Sequence, residues 1–570
     1  METEAFSEAN TSSWFSNYPA EVPHEINPDQ YRSLVDLFAQ TVEKYGPLSA
    51  YQCMGTTISF DELDQLSLYF ATYLQQDLKL PAGSRIAIQL PNILQYPIVL
   101  FGALRAGMIV VNINPLYTPR EMEYILIDSG VEAIIILANY AHNLEKIVAQ
   151  TSIRHVVVTQ IGDQLSALKK VIVNGVVKHV KKMVPSYHLS AAVSYRNALK
   201  RGSYQLFQPV LPKGEDIAFL QYTGGTTGVS KGAILSHTNI IANVEQFAAW
   251  IETANLKEGK EILVSAMPLY HILALTANCL TMMKFGACNL LITDPRDMKG
   301  FIKELKKQPF SLFSGVNTLY NRLLNHPDFD ELNFSHLKVC GAGGMAVQKT
   351  VAERWKNKTG VPITEGYGLT ETSPVLTFNI LKSGQERLGT IGIPIPSTQI
   401  MIANEEGEEM PLGEPGEIYA KGPQVMSEYW NRPEETAKVF TSDGWFKTGD
   451  IGVMDKDGFF SIVDRKKEMI LVSGFNVYPN EIEGVVSGHE KVQEVGAIGV
   501  PDEQSTEAVK IFVVKKDPSL TKEELRAYCK ENLTAYKVPK HIEFRDELPK
   551  SNVGKILRRL LKDSNTQDQV

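Results

Sequence analysis

The sequence predicts an α/β protein: a large N-terminal domain with parallel α/β sheets and a β-rich subdomain, then a small, mobile α+β domain at the C-terminal end. Short β-branched runs alternate with helical patterns, which is typical of parallel strands covered on both faces. From about Thr390 the pattern changes to short strands separated by acidic and glycine turns, and a charged run, DRKKE, interrupts the chain at 464–468. These observations predict the fold class.

Composition excludes several classes of function. Hydrophobic residues make up 44% and charged residues 21% of the 570-residue chain, values typical of a globular protein with a sizeable core. The net charge of -8 does not favour nucleic acid as a partner. The five cysteines fit neither a disulfide framework nor a zinc site, and the acidic N-terminus lacks the apolar core of a secretory signal. We therefore expect a reducing compartment, the cytoplasm.

The first predicted elements belong to the large domain. Asn27-Pro28 predicts the start of a helix whose apolar stripe begins at Leu34. The stretch 93–111 is the most membrane-like, but Gln95 and Arg105 interrupt it, so we interpret it as a buried helix that leads into a buried strand. The strand-like runs lie at 85–90, 108–113, 133–137, 155–159, 217–222, 261–266 and 337–340.

The remaining elements predict the domain boundary. Short strands between turns after Thr390 indicate a compact β-rich subdomain. Beyond the charged run the chain has strands and helices of its own, including a helix that Thr521 and Glu524 would cap. The boundary then separates a large domain, 1–465, from a small domain, 466–570.

A glycine-rich loop carries the clearest functional signal. The segment YTGGTTGVSKG at 222–232 leaves an apolar strand and precedes a helical stretch. Its glycines let the backbone approach a polyphosphate, and its hydroxyls, backbone N–H groups and Lys231 supply donors and positive charge. Ser230 stands where a Walker A loop has glycine, so this is a different phosphate loop.

The loop resembles the signature of the adenylate-forming superfamily, which contains acyl-CoA synthetases, nonribosomal adenylation domains and firefly luciferase. Later blocks agree with it in order and spacing: GAGGM at 341–345, YGLTET at 367–372, WFKTGD at 445–450, DR at 464–465 and NVGK at 552–555. Three more segments resemble bacterial long-chain fatty acyl-CoA synthetases: NINPLY at 112–117, SGFNVYP at 473–479 and LPKS at 548–551. The similarity covers nearly the whole chain.

The resemblance implies a nucleotide site and a metal site. Thr223 and Glu371 would bind Mg²⁺, which prefers hard oxygen ligands. Tyr367 would stack on adenine, and Asp450 with Arg465 would bind the ribose hydroxyls. The resemblance also implies nucleotide-binding positions at Gly224, Gly225, Thr226, Thr227, Gly228, Lys231, Gly343, Gly344, Gly366 and Thr370.

Four further roles follow from the resemblance. Lys555 would be the catalytic lysine that bridges the carboxylate and the α-phosphate, and Lys467 the hinge about which the small domain rotates. Ser473-Gly474 would form part of the coenzyme A tunnel. His271 would line the acyl side of the site, with a purely structural histidine as the alternative. Leu275 stands where some long-chain members carry a gating tryptophan, which leaves chain-length selection open.

One segment suggests a contact with lipid. Between 169 and 184, valines and isoleucines form one helical stripe flanked by Lys170, Lys178, Lys181 and Lys182. Such a basic amphipathic helix can lie on an anionic membrane surface. Gly175 and the many valines weaken helix propensity, which favours a buried helix or a strand-rich insertion instead.

The resemblance implies an ATP- and Mg²⁺-dependent ligase that converts long-chain fatty acids to acyl-adenylates and then to coenzyme A thioesters, for fatty-acid degradation. A ligase for another apolar acid and a non-catalytic ATP-binding lipid carrier are alternatives, whereas phosphoryl transfer lacks a Walker A loop or a kinase lysine context. The expected partners are fatty acid, ATP and coenzyme A, without nucleic acid. Peripheral contact with the cytoplasmic face of a membrane and a homodimer stay open.

Overall fold

The computed structural model describes residues 14–223, 230–382, 384–385, 387–473, 475–502, 505–550 and 556–567. Two large sheets of mostly parallel strands dominate this part of the chain. The order of the seven-stranded sheet is Val193–Ser194, His155–Thr159, Ala133–Leu137, Arg85–Gln89, Ile109–Asn112, Ile217–Tyr222 and Gly232–Ser236. The order of the nine-stranded sheet is Ile393–Pro394, Val375–Phe378, Ile363–Gly368, Val339–Ala342, Leu312–Gly315, Ile262–Ser265, Cys288–Leu291, Ser49–Cys53 and Thr56–Ser59.

Two smaller sheets follow. An antiparallel sheet contains Gln399–Ala403, Gly416–Lys421, Phe446–Met454 and Phe460–Arg465. The last sheet contains, in this order, the strands Phe475–Val477, Ile470–Val472, Thr506–Lys515 and Val492–Asp502, and His541–Arg545 also pairs with Thr506–Lys515. The predicted fold class, a large α/β part with a β-rich subdomain and a small α+β domain, is confirmed.

Helices connect the strands and cover the sheets. The α-helices are Leu34–Tyr45, Phe60–Thr72, Gln95–Arg105, Pro119–Ser129, Ala141–Glu145, Ala167–Gly175, Tyr195–Gly202, His237–Ile251, Met282–Lys284, Met298–Leu305, Asn317–Leu324, Lys349–Thr359, Pro433–Val439, Pro479–Ser487, Lys522–Asn532 and Arg558–Gln567. Short π-helical segments are Tyr73–Asp77, Val176–Val180 and Ala274–Thr281, and 3₁₀ turns include Thr370–Thr372 and Lys466–Glu468.

The stretch 93–111 folds as the sequence indicates. The helix Gln95–Arg105 buries every residue from Gln95 to Leu104, and the strand Ile109–Asn112 that follows is buried throughout. No helix in the described part of the chain combines the length and the apolar character needed to cross a bilayer. The long apolar run is therefore core of the protein.

The first long helix begins later than Asn27-Pro28 predicts. It begins at Leu34, after Ser33, whose hydroxyl accepts the backbone N–H of Asp36. His237 adds a second acceptor, because its Nδ1 receives the backbone N–H of Leu34 at 3.2 Å. A side chain on a distant helix thus stabilises this helix start, together with the local Ser33 cap.

The segment 169–184 is helical but not buried. The helix Ala167–Gly175 continues as the π turn Val176–Val180, and neither has a buried residue. Leu168 and Val180 are 72% and 73% exposed. The interpretation as a buried helix or strand-rich insertion is therefore wrong.

Candidate active site

A cavity of about 2080 Å³ lies where the carboxyl ends of several parallel strands meet. Its wall includes Thr223, Met267, Val316 and Gly343, each of which follows directly or closely on a strand of one of the two large sheets. Open α/β sheets bind ligands at this edge, because the connecting loops diverge there. The cavity is therefore the candidate active site.

The ends of the glycine-rich loop are joined to each other. The backbone N–H of Thr223 donates to the carbonyl of Lys231 at 2.9 Å, and the hydroxyl of Ser230 donates to the carbonyl of Thr223. Thr223, Ser230 and Lys231 all line the cavity. The predicted positions Gly224, Gly225, Thr226, Thr227 and Gly228 lie outside the described residues.

Lys231 forms an ion pair inside this site. Its Nζ lies 2.5 Å from Glu435 Oε2, and 5.0 Å from the centre of the Tyr429 ring. The hydrogen bonds from Lys231 and then Lys438 lower the pKa of Glu435 to about 2. Lys231 is therefore a charged donor whose present partner is a carboxylate.

Glu371 is held by the same tyrosine. The Tyr429 hydroxyl donates to Glu371 Oε1 at 2.6 Å, and the backbone N–H of Met426 donates to the Glu371 carbonyl at 2.7 Å. Burial, and then the Glu371 carboxylate, raise the pKa of Tyr429 far above its usual range, so the hydroxyl keeps its proton. Glu371 is a buried carboxylate with one oxygen engaged by a neutral donor.

The donor set fits a metal that is carried by phosphates. Glu371 and Thr223 line one cavity, and the described residues contain no group of three or more His, Cys, Asp or Glu side chains that could hold an ion. Mg²⁺ commonly takes one or two protein oxygens and completes its octahedron with phosphate oxygens and water. The residues present therefore fit Mg²⁺ bound together with a nucleotide.

Tyr367, Asp450 and Arg465 form one connected group. The Tyr367 hydroxyl donates to Asp450 Oδ2 at 2.7 Å, and Arg465 Nε lies 3.0 Å from Asp450 Oδ1. Burial, and then the Asp450 charge, hold the pKa of Tyr367 well above its usual range. Asp450 is buried and still has lone pairs on both oxygens, so it can accept further hydroxyl hydrogens.

Glycines open the wall next to Tyr367. Gly344 has φ +80°, a backbone conformation that is strained for a residue with a side chain. A Cβ at Gly366 would lie 2.3 Å from the Phe378 ring. Gly343, Gly344, Gly366 and Thr370 all line the cavity with Tyr367. A Cβ at Gly344 would meet nothing within 4 Å, so the backbone at Gly344 is open to the cavity, whereas Phe378 fills the space next to Gly366.

His271 lines the cavity together with several apolar side chains. Its Nδ1 accepts the backbone N–H of Leu273 at 3.3 Å, and burial lowers its pKa to about 4. The imidazole is therefore neutral at pH 7, with its proton on Nε2. The lining of the cavity also includes apolar side chains: Phe247, Met267, Ile272, Leu273, Val316, Met345 and Phe378.

Leu275 does not occupy a gating position. It lies in the π-helical segment Ala274–Thr281 and is fully buried in the main core. The described lining of the cavity does not include it. Leu275 thus packs as an ordinary core residue.

The small domain closes one side of the cavity. Lys467, Lys550, Leu557 and Arg559 line it, so the chain reaches the site on both sides of the segment 551–555. Lys555 and Gly474 lie outside the described residues. Burial, and then the Arg465 charge, lower the pKa of Lys467.

Ser473 lies away from the residues that line the cavity. Its backbone N–H donates to the carbonyl of Ser505 at 2.8 Å, inside the small domain. Its φ is +52°, in the left-handed region, directly after the strand Ile470–Val472. The observed orientation brings Lys550, Leu557 and Arg559, but not Ser473, to the described lining of the cavity.

Comparison with known proteins agrees with this site. The model of the AMP-binding enzyme family matches residues 38–430, and that of the AMP-binding enzyme C-terminal domain matches residues 481–555. The chain belongs to the AMP-binding enzyme family. The family resemblance inferred from the motifs is confirmed.

Relatives and a solved structure are similar over nearly the whole chain. A long-chain-fatty-acid–CoA ligase of Escherichia coli O6:H1 is 57% identical over 551 residues, 96% of this chain and 98% of that protein. The corresponding ligase of Salmonella typhimurium is 56% identical over 552 residues, with the same shares covered. The o-succinylbenzoate CoA synthetase MenE from Bacillus subtilis, in complex with an acyl-adenylate intermediate, is 25% identical with a TM-score of 0.76, covering 92% of this chain and 98% of that one.

Sequence reasoning missed two residues of this site. Tyr429, which donates to Glu371, and Glu435, which pairs with Lys231, belong to no recognised block. Both lie near the start of the helix Pro433–Val439, where neither glycine enrichment nor a charge pattern marks them. Only the folded chain reveals their partners.

Proposed function

We propose that this protein is an AMP-forming ligase that activates long-chain fatty acids as acyl-adenylates and transfers the acyl group to coenzyme A, supplying acyl-CoA for fatty-acid degradation in the cytoplasm. One observation carries the proposal. A single cavity is lined by polar groups, among them Lys231, Glu371, Tyr367 and Arg465, which pairs with Asp450, and also by apolar side chains, among them Met267, Val316 and Phe378. The high identity to long-chain-fatty-acid–CoA ligases over almost the whole chain supports the same substrate class.

The first reaction requires positive charge where two anions meet. The acid's carboxylate attacks the α-phosphorus of ATP, and pyrophosphate leaves. Two unit charges 4 Å apart repel by ~4 kcal/mol at an effective dielectric constant of 20. Lys231 and Lys555 would supply positive charge, and Mg²⁺ held through Thr223 and Glu371 would neutralise phosphate oxygens.

A neutral His271 is consistent with a position next to the carboxylate of the acid substrate. A charged imidazole would hold the carboxylate in a ground-state ion pair, whereas a neutral ring can only orient it. The acyl chain would lie along the apolar part of the cavity wall, where burial stabilises each CH₂ by ~0.8 kcal/mol. Substrate selection then depends on the length of that wall.

The second reaction would use another face of the small domain. After pyrophosphate leaves, rotation about Lys467 would remove the 550–559 region and bring Ser473-Gly474 towards the acyl-adenylate. Lys550, Leu557 and Arg559 line the cavity and Ser473 is not in the described lining, which supports a structure that is poised for the first reaction. Exchange of domain faces lets two reactions use one pocket.

The test is product analysis with ATP, Mg²⁺ and a panel of acids, with and without coenzyme A. AMP and pyrophosphate are expected, with long-chain acids preferred. Release of ADP and phosphate, or no reaction with any acid, would refute the ligase. Preference for an aryl or medium-chain acid would refute the long-chain assignment alone.

Lys555→Ala tests the role of the lysine. Acyl-adenylate formation should slow by on the order of 10²–10³, because one transition-state donor is lost. Thioester formation from preformed acyl-adenylate should be retained. Single-turnover assays measure both, and an equal loss in both half-reactions would contradict the role.

We also propose that residues 167–183 dock the enzyme on the cytoplasmic face of an anionic membrane, where its substrate dissolves. Leu168, Val171 and Val180 are each more than 65% exposed, and Ile172, Val176 and Met183 extend the same surface. Lys170, Lys178, Lys181 and Lys182 accompany them. Apolar side chains next to lysines match the boundary between acyl chains and anionic headgroups.

Vesicle sedimentation tests the docking. Changing Lys170, Lys178, Lys181 and Lys182 to Gln should weaken binding to phosphatidylserine vesicles by on the order of 10³, at ~1 kcal/mol per lysine near the surface. The matched control changes four other exposed lysines, Lys299, Lys303, Lys516 and Lys522. Equal binding of both variants would refute this surface.

A further inference from the structure

Arg558 lies in a cluster of acidic side chains at the junction of the two domains. Its Nη1 lies 3.3 Å from Asp464 Oδ1, and its Nε and Nη2 donate to the two oxygens of Glu483 at 2.9 and 2.7 Å. It also pairs with Glu468 and donates to the Asn480 side chain. The Arg558 side chain is only 11% exposed, so these contacts are largely shielded from water.

The partners of Arg558 belong to different bodies. Asp464 is on the strand Phe460–Arg465 of the antiparallel sheet of the large domain, next to Arg465, and it is fully buried. Glu483 is on the helix Pro479–Ser487, which packs against the strand Val492–Asp502 of the small domain. The pair with Glu483 is thus internal to the small domain, whereas the pair with Asp464 crosses the junction.

Asp464 receives a second contact across the junction. The backbone N–H of Asn480 donates to Asp464 Oδ2 at 2.6 Å, and the Asn480 side chain donates to the Val463 carbonyl at 3.4 Å. One carboxylate therefore binds both the helix Pro479–Ser487 and the start of the helix Arg558–Gln567. Because Asp464 is buried, the strength of these hydrogen bonds should depend strongly on their distances and angles.

The same contacts fix the part of the small domain that faces the cavity. Leu557 and Arg559, the neighbours of Arg558, line the cavity, as does Lys550. We propose that Asp464 and Arg558 form a clasp that holds the small domain in the orientation used for acyl-adenylate formation, and that the clasp opens before thioester formation. The inference rests on the proposed two-step function, and both are positioning residues.

The charges in the cluster explain why such a clasp can open. When the small domain rotates, Arg558 keeps Glu483, which moves with it, so the arginine stays neutralised. Asp464 loses Arg558 and the Asn480 N–H and keeps only the backbone N–H of the adjacent Arg465. Leaving a buried carboxylate unpaired is costly, so Asp464 biases the equilibrium between the two orientations towards the observed one.

A matched pair of substitutions tests the clasp. Asp464→Asn and Glu483→Gln each remove one charged partner of Arg558, but only the first weakens the contact across the junction. Asp464→Asn should slow single-turnover acyl-adenylate formation about tenfold and leave thioester formation from preformed acyl-adenylate unchanged or faster. Glu483→Gln should change both half-reactions by the same factor. Arg558→Lys, which keeps the charge but loses the fork, replaces Asp464→Asn if that variant does not fold.

A distance measurement separates the clasp from the chemistry. The five native cysteines are buried, so dyes can be attached at Glu406→Cys and Lys530→Cys, exposed sites on the large and small domains. Asp464→Asn should add a second population of energy-transfer efficiency without any ligand, and Glu483→Gln should not. An unchanged distribution, or equal slowing of both half-reactions in Asp464→Asn, would overturn the clasp. Selective loss of adenylation in Lys555→Ala would leave the proposed function standing in that case.

Discussion

If Lys231 binds ATP as proposed, it exchanges one anionic partner, Glu435, for another. In the structure its Nζ lies 2.5 Å from Glu435, and both side chains are about one third exposed, at 32% and 33%. Ion pairs of this exposure contribute little, because water and salt screen them. Glu435→Gln should therefore lower the KM for ATP by about two- to fivefold. Steady-state assays at low and high salt check this, since screening should narrow the difference.

The neighbouring carboxylate provides the control for that change. Glu434 also lines the cavity, so Glu434→Gln removes the same charge one position away. If both variants lowered the KM for ATP equally, net charge and not the Lys231 pair would be responsible.

The protonation of the Glu365 carboxyl should affect the free energy of unfolding. Its carboxyl accepts the backbone N–H groups of Val347 at 2.8 Å and Gly389 at 3.4 Å, and burial raises its pKa from 4.5 to about 7. Between these values the folded protein holds a proton that the unfolded chain has lost. Stability from this group is therefore present at about pH 5 and is lost as the pH rises through 7.

Glu365→Gln should remove that pH dependence. Denaturant unfolding at about pH 5 and pH 8 should give a change in the free energy of unfolding that is smaller in Glu365→Gln, by on the order of 3 kcal/mol. The same pH dependence in both proteins would contradict a raised pKa for Glu365.

At the residue scale, the sequence revealed motifs better than partners. Thr223, Lys231, Glu371, Tyr367, Asp450 and Arg465 were predicted, and the structure places all six around or beside one cavity. Tyr429 and Glu435 were not predicted. They lie 58 and 204 positions from the residues they contact, Glu371 and Lys231, and no periodic pattern encodes such a separation.

At the scale of elements, the bounds of the strands were predicted closely, whereas the exposure of the helix Ala167–Gly175 was not predicted. The strands Ala133–Leu137, His155–Thr159 and Ile217–Tyr222 have the predicted bounds, because short and mainly apolar runs of this length are typical of buried strands. The helix Ala167–Gly175 has the expected stripe, but it is exposed. An apolar stripe identifies a face without identifying what covers that face.

The strand Val339–Ala342 offers a test of the acyl wall. A Cβ at Gly341 would meet only the Phe378 ring, at 4.0 Å. Phe378 is one of the apolar side chains that line the cavity. Gly341→Val should therefore fold and shorten the space for the acyl chain. kcat/KM for acids of about 16 carbons should fall roughly tenfold relative to acids of about 8 carbons, since one or two buried methylenes contribute this much to selectivity.

A valine elsewhere controls for general damage. A Cβ at Gly484, in the small domain, would meet nothing within 4 Å. Gly484→Val should leave the chain-length profile unchanged. If Gly341→Val lowered kcat/KM equally for all acids, the acyl chain would not lie along this wall.

For the whole molecule, the sequence predicted two domains but not their relative orientation. The hydrophobic clusters of the described residues lie either before residue 466 or after residue 469, and none includes residues from both sides. The orientation depends on a few polar contacts at Asp464, which a pattern of apolar residues cannot encode. The boundary at 465/466 stays a prediction.

Separate cores predict separate unfolding. Few contacts couple the two domains, so calorimetry should resolve two transitions, with the larger heat from the large domain. On the proposed function, a non-hydrolysable ATP analogue would bind mainly through Thr223, Lys231, Tyr367 and Asp450, all in the large domain. At 100 times its Kd it should stabilise that domain by ~2.7 kcal/mol and raise the larger transition by a few degrees, while the smaller transition moves less. A single transition that shifts as a unit would mean that the Asp464–Arg558 contacts make the two domains one cooperative body.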